Sequence, residues 1–302
     1  MRNSPLSDDK NAGPPSNGPH SQTTTSHLPA AVRTLLDAAD ERHTACGTGT
    51  MIWRCWGQGR PLVLLHGGSG SWTHWLRNIE ALAASGRQVW APDLPGFGDS
   101  APPSGGNDAD AAAEPLAHGI RELMGEGPHE IVAFSFGSLI SVLMAAQYPA
   151  LVARMMLIGL PIVPLPQGRG VVLQSLRDAV TPEQRAAAHR ANLAALMIHN
   201  ADRIDDDTVA LQAANVVRDR MRGRRLVTTD ACARAVEKLR CEFHCVYGEQ
   251  DVLYRDRWPQ MRAACEASPN CKGFTLIEDA GHWVQYEQAQ ACNALLTAWA
   301  RS

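Results

Sequence analysis

Apolar residues along this chain fall into short continuous runs, and between the runs lie stretches with helical spacing. Pro61–His66, Val89–Pro92, Glu130–Phe134 and Arg154–Ile158 are such runs, most of them closed by glycine, proline or other turn residues. Four to seven residues with little polar alternation suit a strand covered on both faces, as inner strands of a parallel sheet are. Thr50–Trp56 adds a further strand, ending at the Gly57-Gln58-Gly59 turn. Helical spacing occupies Leu28–Ala39, Trp75–Ala84, Ala111–Met124 and Gly137–Gln147. From 161 to 230 the rhythm breaks, and helix-like stretches (Ala187–Met197, Thr208–Met221) follow one another through polar turns. The strand pattern returns at Phe243–Tyr247 and Lys272–Ile277, and Val284–Trp299 reads as a closing helix. The alternation predicts an α/β fold with a doubly wound, mostly parallel sheet. Its core comprises residues 28–160 and 231–302, with residues 161–230 inserted as a helical lid.

Residues 1–27 are rich in Ser, Pro, Asn, Gly and Thr and contain hardly any large apolar side chain. Such a segment buries too little to offset its ordering entropy, so a disordered tail is expected. It also lacks the apolar middle of a secretory signal. The whole chain of 302 residues is 45% hydrophobic, enough for a full core, and carries a net charge of −3. That balance gives no footprint for nucleic acid or for an anionic membrane surface. No apolar stretch approaches the roughly 20 residues that span a bilayer. The eight cysteines include no Cys-x-x-Cys pair, and Cys241 and Cys245 lie in or beside one strand, where direct bridging is disfavoured. Reduced packing cysteines in a cytoplasmic protein are expected, with no metal site.

Three segments carry candidate chemistry, and each follows a strand-like run. They are Ala133-Phe134-Ser135-Phe136-Gly137, Gly248-Glu249-Gln250-Asp251 and Ala280-Gly281-His282-Trp283. Ser135 falls between a strand and a helix, where a sharp turn exposes the hydroxyl above the sheet and the helix N-terminus favours negative charge. His282 is the one histidine beyond Asp251 and suits a general base; Asp251 would orient it, with Glu249 and Asp256 as rivals. Asp256 is expected in the helix that follows. The order Ser, Asp, His differs from the chymotrypsin and subtilisin orders. An oxyanion hole needs backbone N–H groups from the residue after the nucleophile, here Phe136, and from a glycine-rich loop after an early strand, here Gly68 of His66-Gly67-Gly68-Ser69-Gly70. That loop lacks the lysine of a phosphate-binding P-loop. His66 reads as a hydrogen-bonded structural residue. Gly67, Trp72, Trp75, Phe134, Phe136 and Trp283 are candidates for an apolar pocket.

Together His66-Gly67-Gly68, the segment Pro92-Asp93-Leu94-Pro95-Gly96-Phe97-Gly98-Asp99-Ser100, the Ser135 turn, Asp251 and Gly281-His282-Trp283 resemble the α/β-hydrolase superfamily over residues 45–300. The segment Gly281-His282-Trp283-Val284-Gln285-Tyr286-Glu287 is similar to that of the meta-cleavage product hydrolases, which cleave C–C bonds in vinylogous diketones from aromatic degradation. In that family the tryptophan beside the histidine lines the pocket. Two departures stand out. Phe134 occupies the position where that family carries Asn, and its lid arginine falls near Gln212–Ala214, leaving Arg218, Arg222 or Arg224 to substitute.

The resemblance implies a cofactor-free serine hydrolase acting on a small ester, lactone, amide or activated ketone. A C–C bond hydrolase is the alternative; acyl transfer or perhydrolysis would use the same triad. A non-catalytic ligand-binding protein with this fold is the reading from a different class. A small-molecule substrate is the expected partner, and a homo-oligomer is compatible with the sequence.

Overall fold

The computed structural model describes residues 28–165 and 171–301. The expectation for residues 1–27 lies outside them. Eight strands form one sheet: β1 (Asp40–Cys46), β2 (Gly49–Trp56), β3 (Arg60–Leu65), β4 (Arg87–Pro92), β5 (His129–Phe134), β6 (Val152–Ile158), β7 (Glu242–Gly248) and β8 (Cys271–Ile277). Their order is β1-β2-β4-β3-β5-β6-β7-β8. β2 runs antiparallel to β1 and β4, and every other pairing is parallel. The helices are α1 (Ala30–Asp37), α2 (Ile79–Ala84), α3 (Ala109–Met124), α4 (Phe136–Gln147), α5 (Pro182–Asn192), α6 (Asp206–Val217), α7 (Ala231–Val236), α8 (Trp258–Glu266), α9 (Val284–Glu287) and α10 (Ala289–Arg301).

The apolar runs explain the layering. In β3, Val63 and Leu65 face one core while Leu62 and Leu64 face another; in β5, Ile131 and Ala133 oppose Val132 and Phe134. Both faces of these strands are therefore dry, as their sequences require. The first core is completed by α3, α4, α7 and α8, the second by α1, α2 and α10. Between β6 and β7 the chain leaves the sheet for α5, a π-helical stretch at Leu193–Met197 and α6, then returns through α7, which packs on α4.

Several elements depart from the expected pattern. β1 was not anticipated: of its residues only Thr44 and Cys46 are buried, so an edge strand reads as polar. α5 begins five residues before the expected start, at a capping box in which Thr181 and Gln184 satisfy each other's backbone N–H groups. The closing helix is two helices, interrupted at Gln288. Asp256 lies in a single 3-10 turn, Arg255–Arg257, rather than in the following helix.

Candidate active site

Ser135 joins β5 to α4 with φ +51° and ψ −113°, a conformation that costs a non-glycine residue about 1–3 kcal/mol. The surroundings enforce it. Ser135 N–H donates to Ile158 O (2.7 Å), and its carbonyl accepts from Leu139 N–H (3.2 Å). Ser138 Oγ lies 2.8 Å from Ala133 O and 3.0 Å from Ile158 O, bridging the ends of β5 and β6. Gly137 is required by proximity, since a Cβ there would stand 2.3 Å from His66 O.

The loops after β7 and β8 bring the other two residues to this turn. Ser135 Oγ lies 2.8 Å from His282 Nε2, and His282 Nδ1 lies 2.7 Å from Asp251 Oδ2. Asp251 is fully buried, and its Oδ1 accepts from Leu253 N–H (3.0 Å). Asp251, rather than Glu249 or Asp256, holds the histidine. The two loops touch so closely that a Cβ on Gly248 would lie 2.1 Å from Gly281 O. Glu287, to which sequence reasoning gave no role, fastens the histidine loop from behind. Its buried carboxylate accepts from the N–H groups of Gly281 (2.7 Å), His199 (2.9 Å) and Asn200 (2.7 Å). The last two belong to the segment between β6 and β7, so one carboxylate joins that segment to the site. The signal was present as the last residue of the quoted histidine segment.

Above Ser135, Phe136 opens α4, where an N–H has no intrahelical acceptor. Gly67 N–H is taken by His74 Nδ1 (3.2 Å), whereas among the described residues no acceptor meets Gly68 N–H. Gly68 and Phe136 thus each carry an N–H with no acceptor among the described residues. His66 braces the loop: Nδ1 donates to Gly67 O (2.7 Å), leaving Nε2 to accept from Leu94 N–H (2.8 Å). Burial pushes its pKa down to about 4, so it is neutral at pH 7. Burial likewise lowers His74 well below the usual histidine value. Asp93, fully buried, accepts from Trp72 N–H (2.9 Å), Asp99 N–H (2.9 Å) and Arg54 (3.2 Å), tying the loop after β4 to the glycine loop. Its segment was noticed in the sequence, but its role was not.

Ser135 and His282 open onto a cavity of about 1220 Å³ between the sheet and the inserted helices. Gly68, Phe134 and Phe136 line it. Gly67, Trp72, Trp75 and Trp283 do not, which corrects the expectation. Gly67 is buried behind Phe134, whose ring a Cβ at Gly67 would meet at 2.8 Å. Trp72 and Trp75 pack in the core beside α2, and Trp283 stacks on Tyr286 at 4.0 Å while donating to His74 O. Large aromatic faces gain more from the dry core than from a wet wall. Arg222 and Arg224 reach the cavity, while Arg218 pairs with Asp99 outside it. Among the described residues no cluster of three metal-ligating side chains occurs. All eight cysteines are free thiols. No described helix is long and apolar enough to cross a membrane.

The sequence profile of the alpha/beta hydrolase fold matches residues 60–203. Over 257 residues the chain is 31% identical to the dihydrolipoyllysine-residue acetyltransferase component of the acetoin cleaving system of Pseudomonas putida, covering 80% of this chain and 64% of that protein. It is 24% identical over 264 residues to a 2-hydroxy-6-oxononadienedioate/2-hydroxy-6-oxononatrienedioate hydrolase of Burkholderia vietnamiensis, covering 80% of this chain and 86% of that one. Among solved structures, an esterase from Rhodococcus sp. superimposes with a TM-score of 0.67 at 22% identity, covering 87% of this chain and 98% of the other. A meta-cleavage product hydrolase from Pseudomonas fluorescens gives 0.65 at 20% identity, covering 86% and 97%.

Proposed function

From a chain with the α/β-hydrolase fold, we propose a serine hydrolase acting on a small ester, lactone, amide or activated ketone. What supports this reading is the continuous hydrogen-bond chain from Ser135 through His282 to the buried Asp251. In the reaction, Ser135 Oγ passes its proton to His282 Nε2 as it attacks the substrate carbonyl. Asp251 holds the Nδ1–H tautomer and stabilises the imidazolium. The tetrahedral oxyanion rests on the Gly68 and Phe136 N–H groups, fixed before the charge develops. His282 then protonates the leaving group, and water activated by the same histidine releases the acyl group from Ser135. Residues 161–230 act as a lid, and the protein works in the cytoplasm.

A second reading, hydrolysis of a C–C bond in a vinylogous diketone, is favoured by the resemblance to the Burkholderia hydrolase. Arg222 and Arg224 on the cavity wall suit an acidic substrate end. Phe134 weighs against it, because an apolar ring stands where that family places an amide.

The test is hydrolysis of short-chain p-nitrophenyl esters and labelling by a fluorophosphonate, in the wild type and in Ser135→Ala. Turnover and labelling that vanish together in the variant support the reading. A wild type that neither labels nor turns over any ester or vinylogous diketone refutes it and favours a binding protein.

A further inference from the structure

The loop that carries Gly68 is gripped at several points. The core holds one end, through His74 on Gly67 N–H and His66 on Gly67 O. The inserted segment holds the rest. Ser71 Oγ donates to Asn215 Oδ1 of α6 (2.8 Å), and Asn215 Nδ2 donates to Thr73 Oγ1 (3.0 Å). Nearest to Gly68 the grip comes from Asp219, just beyond α6. Its buried carboxylate accepts from Ser69 Oγ at Oδ2 (2.6 Å), from Arg224 Nη2 at Oδ2 (3.0 Å) and from Met221 N–H at Oδ1 (2.9 Å). Arg224 Nη2 lies 3.1 Å from Ser69 Oγ as well, and the guanidinium lies against Gly68, where a Cβ would stand 2.4 Å from Nη1.

Ser69 itself has φ +52°, a left-handed conformation that a serine keeps only where its surroundings hold it. Here the tether to Asp219 supplies that hold. The stretch bearing Asp219 is in turn fixed to the loop after β4: Arg220 N–H donates to Gly96 O (2.9 Å) and Arg218 pairs with Asp99 (2.9 Å).

We infer that Asp219 and Ser69 are positioning residues for the oxyanion hole: the inserted segment, through this carboxylate and hydroxyl, sets the direction of the Gly68 N–H. This rests on the proposed serine hydrolysis and adds to it a dependence of the transition state on a residue from the insertion. A donor aimed at charge that appears only in the transition state raises kcat and leaves ground-state binding alone. Loss of the tether therefore lowers kcat rather than raising KM. Loss of one whole oxyanion donor costs about 10²–10³ in kcat, so a donor that is present but unaimed costs about 10–100-fold.

The experiment compares wild type, Ser69→Gly, Asp219→Asn and the double variant on a p-nitrophenyl ester. It also measures inhibition by an alkyl trifluoromethyl ketone, which adds to a serine to give a tetrahedral oxyanion. Ser69→Gly tolerates the positive φ without strain and removes the hydroxymethyl group that reaches Asp219, so it decides the matter alone if Asp219→Asn does not fold. The expected result is a fall in kcat of about 10–100-fold with KM within about threefold, a matching loss of ketone affinity, and a double variant no worse than the poorer single variant. Unchanged kcat, a rise in KM alone, undiminished ketone affinity or additive losses would overturn the inference. If wild type turns over and Ser135→Ala does not, failure in these variants touches only the tether. A wild type without turnover or labelling removes the hydrolase reading and the tether together.

Discussion

Gly137→Ala is a single methyl placed where the structure has no room for it. The new Cβ would stand 2.3 Å from His66 O, 2.9 Å from Leu65 O and 3.1 Å from Leu65 C. All three are backbone atoms, so no side chain can swing aside. Leu65 ends β3, which lies at the middle of the sheet between β4 and β5 and cannot yield. The start of α4 must therefore retreat by about 1 Å to restore ordinary contact, and it carries Ser135 and the Phe136 N–H with it. Overpacking of this kind costs about 1–3 kcal/mol. At roughly 2 °C per kcal/mol for a chain of this size, Tm falls by about 2–6 °C. A displacement of about 1 Å at the reacting atoms costs about 100-fold in rate. The assay is kcat/KM on a p-nitrophenyl ester with Tm by circular dichroism. Gly105→Ala serves as the control, because its Cβ would meet only Ala111 Cβ, at 3.9 Å. A Gly137→Ala protein within about threefold of wild type, with Tm unchanged, would refute the claim that this contact fixes Ser135.

Three further outcomes are expected. Because His66 is held neutral with a pKa of about 4 against an ordinary 6.5, the unfolded chain takes up a proton first as pH falls. Stability is thus complete above pH 6.5 and is lost toward pH 4, by about 2–3 kcal/mol at pH 4.5; urea unfolding at pH 7 and 4.5 measures it, and His66→Gln flattens the drop. Cys271 is half-buried and held down to about 7, chiefly by its hydrogen bond with Cys245, whereas burial raises Cys46, Cys55, Cys232, Cys241, Cys245 and Cys292. Iodoacetamide on the native protein at neutral pH should label Cys271 first, read by peptide mass spectrometry, and a faster site elsewhere would contradict this. Trp283→Phe removes a buried hydrogen bond to His74 O and part of a stacked pair, so it should cost about 1–3 kcal/mol in denaturant unfolding with KM unchanged. A large KM effect would return Trp283 to the pocket wall.

The sheet was legible in the sequence because its inner strands are buried on both faces, so that runs such as Leu62–Leu65 and Ile131–Phe134 stand out without any alternation. β1 was illegible for the opposite reason, being an edge strand with solvent on most of its side chains. The positions of Ser135, Asp251 and His282 followed from the turn after each strand, a local property. What could not be read was non-local. A tryptophan looks the same whether it faces a cavity or a core, and Trp72, Trp75 and Trp283 chose the core. Glu287 and Asp93 earn their places by accepting N–H groups from loops up to 88 residues away. No spacing rule reports such partnerships, because the backbone groups they satisfy carry no side-chain signature.

The left-handed turn at Ser135 has a consequence for how this protein would respond to selection. Glycine adopts φ +51° without the steric cost that serine bears there, so Ser135→Gly relieves about 1–3 kcal/mol of strain. A library screened only for heat resistance would therefore favour glycine at the position of the proposed nucleophile and, on that proposal, retain a sturdier, inert protein. On the proposed mechanism, the sequence of greatest stability and the sequence of greatest reactivity part company at this residue.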